Sequence, residues 1–538
     1  MSLLQDITAS SVLNGLSAIG ALAIVAALLV HAIPWAWDSR NVRAYPGPWL
    51  AKFSDVWLGL VAFDGHRSDV VHEMHQKYGT FIRIAPNHIS ISDPKALEIV
   101  YGHGVGTLKS DFYDSSVTID RSLSTTRDRA AHARKRRIVS HVFAPRTVLE
   151  YEPIIHEHAT AFVKQWDALC DKIDKGAVDG RMWFNCMPWF AYLAFDVIGD
   201  LSFGAPFGMV EGAKDSAPVA NSYESTMGTY GKEADVDSSH YRSAVELLRK
   251  RGAFTSTIGV FPSYWRPLLK RFIPWFNTGG QAAYELGGIA VASIAKRLVA
   301  PSYRADFLTR LLEGKDDSGQ PLGPLELSAE AFVLLLGGSD TMSATMTSIT
   351  YFLALHPRSQ KILQKELDNA TGSGKEDPVC SFTQIKNLPY LEAVVNETMR
   401  IYSTVGIGLP REVPEGGLDV LGRTFLPGTI VSVPLYTVHH DVNIWGPDAD
   451  AFRPERWLED GAHERTKYFH PFSLGPRACV GRNLAMMEIL IAIATVMRRY
   501  DIVLEDPSAK IPRHEATVNA ALSCKIGLKR RDANTANA

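Results

Sequence analysis

The run Phe472-Ser-Leu-Gly475-Pro-Arg477-Ala-Cys479-Val-Gly481 sets one thiol in a glycine-bracketed loop just before a helix expected from about Arg482. Backbone N–H groups and the helix dipole favour an anion there, so Cys479 is placed to become a thiolate. A thiolate is the electron-donating axial ligand that a haem iron needs to cleave an O–O bond. On this reading Cys479 ligates the iron, Phe472 shields the sulfur and Arg477 pairs with a haem propionate. Gly475 and Gly481 let the loop approach the flat macrocycle closely.

A second group of residues could work on the opposite side of such a cofactor. Gly337-Gly338-Ser339-Asp340-Thr341 lies inside a long helical pattern. Two adjacent mid-helix glycines cost about 1 kcal/mol each against Ala, so they call for a reason. Close packing of another helix and an opened groove both supply one. Glu397 and Arg400 stand at i, i+3 on another helix, a spacing that by itself usually means a solvated surface pair.

These residues need elements to position them. Helical periodicity occupies about 145–170, 280–300, 328–356, 387–402 and 482–499, the third capped by Ser328 and stopping before Pro357. Thr80–Ile84 and His88–Ser92, split by Pro86-Asn87, read as a β-hairpin. Segments 371–381 and 458–466 read as polar loops, and the end after Asp532 as disordered. No linker divides residues 46–538, which are expected to form one mainly helical α+β unit with a smaller β-rich part.

Composition narrows the class. A net charge of −2 over 538 residues supplies no basic field for nucleic acid. Five widely spaced cysteines (Cys170, Cys186, Cys380, Cys479, Cys524) without a C-x-x-C pair argue against a disulfide scaffold or a zinc ribbon and fit a reducing compartment. Residues 12–33 are nearly all apolar, long enough to cross a bilayer as a helix. No Lys or Arg precedes this run, whereas Arg40, Arg43 and Lys52 follow it, which orients the remainder to the cytosol. Residues 1–45 are therefore expected to be a membrane anchor and hinge, and Asn369 and Asn396, in glycosylation patterns, to stay unmodified.

The Cys479 motif resembles that of the cytochrome P-450 superfamily, and other stretches match in the family's order. The resemblance implies the family's fold, a large helical domain with a smaller β-rich lobe, preceded here by the transmembrane helix. It implies that Glu397, Arg400 and the Arg456 of Phe452-Arg-Pro-Glu-Arg-Trp457 form a buried structural triad. It implies a helix groove at Gly337-Gly338, with Thr341 hydrogen-bonding dioxygen and Asp340 relaying protons. Met342 stands where many relatives have a small hydroxyl residue, and is expected to narrow the pocket. His132-Ala-Arg-Lys-Arg136 takes the place of the family's W-x-x-x-R helix, with His132 and Arg136 reaching propionates, and Arg411 matches another propionate-binding Arg. Arg134, Lys135 and Arg137 would then offer a basic face to an acidic reductase.

Closer likeness, through Tyr101–Tyr113, Thr126–His132, Tyr192–Gly208 and Gly408–Glu412, is to the fungal benzoate 4-hydroxylase family. It implies para-hydroxylation of benzoate or a close relative at the endoplasmic reticulum membrane. Electrons would come from NADPH through the FAD and FMN of a membrane-bound NADPH–cytochrome reductase, with cytochrome b5 as a second donor. Tyr113, Thr118 and Arg121 are candidates to anchor a substrate carboxylate, and Thr404–Gly408 and Thr517–Leu522 are expected to face the substrate. Other aromatic or secondary-metabolite oxidations remain open, as does an O2-independent haem-thiolate isomerase. The Asp340-Thr341 pair speaks against the last, because rearranging a hydroperoxide needs no proton relay to dioxygen.

Overall fold

The computed structural model describes residues 17, 18, 20–22, 25, 29, 30, 32, 33 and 35–531, apart from 173–178, 233–239, 300–305, 316–318 and 373–376. The strands that bear on the site are β1 (Phe81–Ala85), β2 (His88–Ile91), β3 (Leu108–Lys109), β4 (Met182–Asn185), β5 (Arg411–Glu412), β6 (Ile430–Ser432), β7 (Tyr500–Leu504) and β8 (Lys525–Arg530). The helices are α1 (Arg129–Ser140), α2 (Glu152–Asp171), α3 (Met187–Phe203), α4 (Ala244–Gly259), α5 (Pro274–Val299), α6 (Pro324–Leu355), α7 (Pro389–Tyr402) and α8 (Arg482–Arg499).

α6 is the central beam. Its long apolar faces are covered by α3, α5, α7 and α8, and one large core joins them. Ile198 of α3 lies where a Cβ on Gly338 would come within 2.5 Å of it. Gly338 is thus the close-packing glycine, and a methyl group there would push the two helices apart. Gly337, its neighbour, has open space at its Cβ position. The helix is α throughout this stretch, so the opening is made by a missing side chain and not by a widened turn.

The smaller lobe is a mixed sheet in the order β1-β2-β6-β5-β3. β1 and β2 form the expected hairpin, with Phe81 opposite Ile91. In β3 and β5, Lys109 lies directly opposite Arg411. A second sheet, β7-β8-β4, closes the helical side.

Several boundaries differ from the sequence reading. α6 begins at Pro324 behind Gly323, and Ser328 lies inside it, its hydroxyl donating to the Pro324 carbonyl at 2.7 Å. The expected 145–170 helix is broken into Pro145–Leu149 and α2, because Pro153 lacks an N–H and its ring would strike the preceding turn. The expected loop 458–466 contains a short helix, Ala462–Thr466. Most of the apolar run 12–33, residues 373–376 of the loop 371–381, and the terminus after residue 531 lie outside the described residues. Among the described residues no helix is long and apolar enough to cross a membrane.

Candidate active site

Under α6, between it and α8, lies a chamber of about 350 Å³. Its walls are mostly apolar, with Val139, Phe143, Ile198, Leu334 and Leu484 among them. Cys479 opens onto it from the loop before α8. The Cys479 residue is exposed, and its loop is held from behind. The Cys479 amide donates to the Phe472 carbonyl at 2.9 Å, and Arg136 Nη1 donates to the Ala478 carbonyl at 2.5 Å. Burial pushes the Cys479 thiol up, while the amides of Gly481 and Arg482 and the charge of Arg136 draw it back down. Burial is the larger effect, so the helix start moderates the thiol's upward shift and does not reverse it.

Gly475 has a different purpose from the one expected. Its φ is +70°, and a Cβ there would collide with the Tyr101 carbonyl, so it fits the loop against the β lobe. Gly481 lines the chamber with open space around it. Phe472 lines the chamber beside Cys479, with the Arg482 guanidinium 5.8 Å from its ring.

Cationic and hydrogen-bonding side chains gather at one edge of the chamber. Lys109, His132, Arg136 and Arg477 line it. Arg411 stands one layer behind, donating to the Tyr113 hydroxyl at 2.7 Å with its guanidinium 5.0 Å from the Tyr101 ring. Burial, and then Arg477, Lys109, Arg136 and Arg411, pull His132 down to about 3, so it is a neutral donor at physiological pH. Burial and Arg411 likewise lower Arg477 to about 10. Like charges opposite each other in a sheet, as Lys109 and Arg411 are, destabilise it unless an anion joins them. Two carboxylates reach the chamber wall, but neither serves. Glu330 is bound to Lys135 at 3.0 Å and to the Leu123 amide, also at 3.0 Å. Glu488 is buried, and desolvation pushes its carboxyl well above the usual carboxylate range, disfavouring the charged form.

A haem fits this set: a thiol for the metal, apolar walls for the macrocycle and a cationic edge for two propionates. The cations also carry protein contacts, because Arg477 donates to the carbonyls of Thr126 at 2.6 Å and Arg127 at 3.0 Å. Lys109 donates to the Ser124 carbonyl. Lys109 was missed in the sequence; only its register opposite Arg411 brings it to the edge.

Facing Cys479 across the chamber is α6. Gly337, Gly338, Thr341, Met342 and Thr345 line it. The Thr341 hydroxyl donates to the Gly337 carbonyl at 2.6 Å. Asp340 stands beside this row, pushed up to about 7 by burial, with Arg251 of α4 opposing the shift. Its carboxyl thus sits near half-protonation at neutral pH, a range suited to passing protons.

Other placements correct expectations. Tyr113, Thr118 and Arg121 do not line the chamber. Tyr113 supports Arg411, Thr118 lies under α5 at Gly287, and exposed Arg121 pairs with Asp114 at 2.8 Å. Of Thr404–Gly408 and Thr517–Leu522, only Thr404 and Val405 reach the wall. Asn519 stands behind, its amide donating to the Thr404 carbonyl at 2.8 Å. The basic face on α1 is largely consumed: Lys135 is buried against Glu326 and Glu330, and Arg134 pairs with Glu326.

Glu397, Arg400 and Arg456 meet at zero exposure. Arg400 Nε and Nη2 donate to the two Glu397 oxygens at 2.9 and 2.8 Å, and Arg456 Nε donates to Oε1 at 2.8 Å. Trp457 Nε1 adds a bond at 2.9 Å and the Arg453 amide another at 3.0 Å. Every lone pair of that carboxylate has a donor, so the group is structural and fixes the segment leading to Cys479.

The family model for cytochrome P450 matches residues 45–526. The chain belongs to the cytochrome P450 family. It is 43% identical over 96% of its length, and 98% of the relative's, to benzoate 4-monooxygenase bphA of Aspergillus niger. It is 32% identical over 86% of its length, and 89% of the relative's, to cytochrome P450 monooxygenase ORF11 of Penicillium roqueforti. Against cytochrome P450 monooxygenase gsfF of Penicillium aethiopicum the identity is 31% over 88% of the chain and 90% of the relative. The protein is accordingly a cytochrome P450 monooxygenase, and the chamber between Cys479 and Thr341 is its candidate active site.

Proposed function

We propose that this cytochrome P450 inserts one atom of O2 at the para carbon of benzoate or a closely related small aromatic acid. The observation that carries the substrate is the 43% identity, over nearly the whole chain, to a protein described as a benzoate 4-monooxygenase. In this reading Cys479 would hold the iron, Arg136, Arg477, Lys109 and Arg411 would neutralise the propionates, and His132 would donate a hydrogen bond to one. Bound there, the haem supplies the activation of dioxygen.

The chain's own residues do the remainder. Apolar walls exclude water around the ring of the substrate. Asp340 holds a proton near neutral pH and passes it towards Thr341 Oγ1, which can turn from the Gly337 carbonyl and donate into the chamber. Phe472 shields the Cys479 sulfur. Electrons come from NADPH through a flavoprotein reductase, with cytochrome b5 as a second donor. The apolar run 12–33 followed by Arg40, Arg43 and Lys52 supports a single-pass anchor in the endoplasmic reticulum membrane, with residues 46–538 in the cytosol.

The test is a reduced carbon monoxide difference spectrum, then titration with benzoate, then turnover with reductase and NADPH. A thiolate-type Soret band, a substrate-induced spin shift and 4-hydroxybenzoate are expected. A normal band with neither spin shift nor hydroxylated product would overturn the substrate and leave the family standing.

A further inference from the structure

We propose that the paired hydroxyls of Thr345 and Thr404 hold the carboxylate of the substrate and so decide which ring carbon meets the oxidant. The proposal rests on the benzoate-type reading above and names the residues that would read that acid group. The wall formed by α6 and the segment after α7 is otherwise almost entirely apolar, with Leu334, Met342, Val405, Leu409 and Met399. In such a pocket a few placed polar groups fix the orientation of the ligand.

Thr345 Oγ1 and Thr404 Oγ1 lie 2.9 Å apart, near enough for one carboxylate to accept a hydrogen bond from each. Each hydroxyl carries one proton to give. Thr345 now donates to the Thr341 carbonyl at 2.7 Å, a helical carbonyl that can spare that bond. Rotation of both hydroxyls towards the chamber therefore presents two donors side by side. Thr345 is four residues, just over one helical turn, beyond Thr341, about 6 Å along α6. An acid group held at that distance leaves the ring, and its far carbon, directed back towards Thr341 and Cys479.

Thr404 is held firmly. Ser403 before it adopts φ +33°, an uncommon value for a residue with a side chain. The Ser403 hydroxyl donates to the Arg400 carbonyl at 2.9 Å and lies 2.9 Å from His439 Nδ1, and the Thr404 carbonyl accepts from the Asn519 amide at 2.8 Å. Backbone strain of this kind persists where the surroundings over-determine it, commonly beside a ligand.

The test uses the full-length, haem-loaded enzyme, its carbon monoxide spectrum serving as the fold control. Spectral titrations compare benzoate with nitrobenzene, a neutral ring of the same shape, in wild type and in Thr404→Val, Thr345→Val and Thr404→Ser. Each valine variant should weaken benzoate about tenfold or more, the loss expected for one hydrogen bond to a charged acceptor. Nitrobenzene should change less than about twofold by the same arithmetic, and Thr404→Ser should bind benzoate nearly as wild type does. Equal losses for both ligands, or none for benzoate in a wild-type-like protein, would overturn the assignment while the benzoate reading stood. Wild-type enzyme indifferent to benzoate would end that reading, and this proposal with it.

Discussion

At the scale of single residues, the chamber is governed by what burial does to charge. Asp340 is the informative case, because burial raises its pKa from the ordinary 3.8 of an aspartate to about 7. Between those values the folded protein keeps a proton that the unfolded chain has released, so stability contributed by this group falls as pH rises from about 4 to 7. Above 7 the loss is complete. Asp340→Asn cannot titrate, so its Tm advantage over wild type should grow across that window and then level off. A Tm difference that is the same at every pH would count against the burial argument. Substrate hydroxylation by the same variant should drop on the order of a hundredfold, as for loss of a positioned proton donor. Lys109 teaches the complementary point. A lone lysine in a short strand carries no signal of its own, and it gains meaning only once the sheet register sets it opposite Arg411.

At the scale of elements, adjacent glycines in α6 have separate duties. Gly338→Ala would force its methyl group into Ile198 and should cost about 1–3 kcal/mol, read as a lower denaturation midpoint. Gly337→Ala meets nothing and removes a helix-interior glycine, so it should stabilise the fold by up to about 1 kcal/mol. It should also shrink the chamber and weaken the ligand-induced spectral shift. Equal stability changes in the two variants would refute this division. The triad makes a stronger statement about element positioning. Glu397→Ala removes the carboxylate that fully buried Arg400 and Arg456 share, leaving Arg400 with carbonyl acceptors alone, and should cost roughly 3–5 kcal/mol. The expected phenotype is protein that fails to retain haem, measured as absorbance at the Soret band per milligram. Its spacing in sequence, by contrast, could not be told from a surface ion pair until Arg456 closed on it.

At the scale of the whole molecule, the helical side and the β lobe meet at the chamber, and each contributes one part of it. The helical side gives α6, α8 and the loop with Cys479; the lobe gives Lys109 and, behind it, Arg411. Exposed apolar side chains cluster in the early part of the chain, including Trp49, Leu60 and Phe63. With the preceding apolar run, full-length protein should sediment with membranes and resist extraction by alkaline carbonate. Release of all the protein by that wash would remove the single-pass anchor.

The local motifs were legible because they are short and chemically demanding. A thiol before a helix start, a Gly-Gly pair in a helix, and an acid–alcohol pair after it each announce a task within a few residues. Helix spans were legible for a similar reason, since burial of one face imposes a period on the chain. What needed the tertiary structure was every pairing between distant segments. Lys109 meets the cationic edge through a strand partner some 300 residues away, Thr404 meets Thr345 on one wall of the chamber, and Arg134 and Lys135 are taken up by Glu326 and Glu330. Sequence spacing fixes which side chains share a helix face. Only packing brings separate elements within hydrogen-bond reach, where a buried charge or hydroxyl acquires its partner.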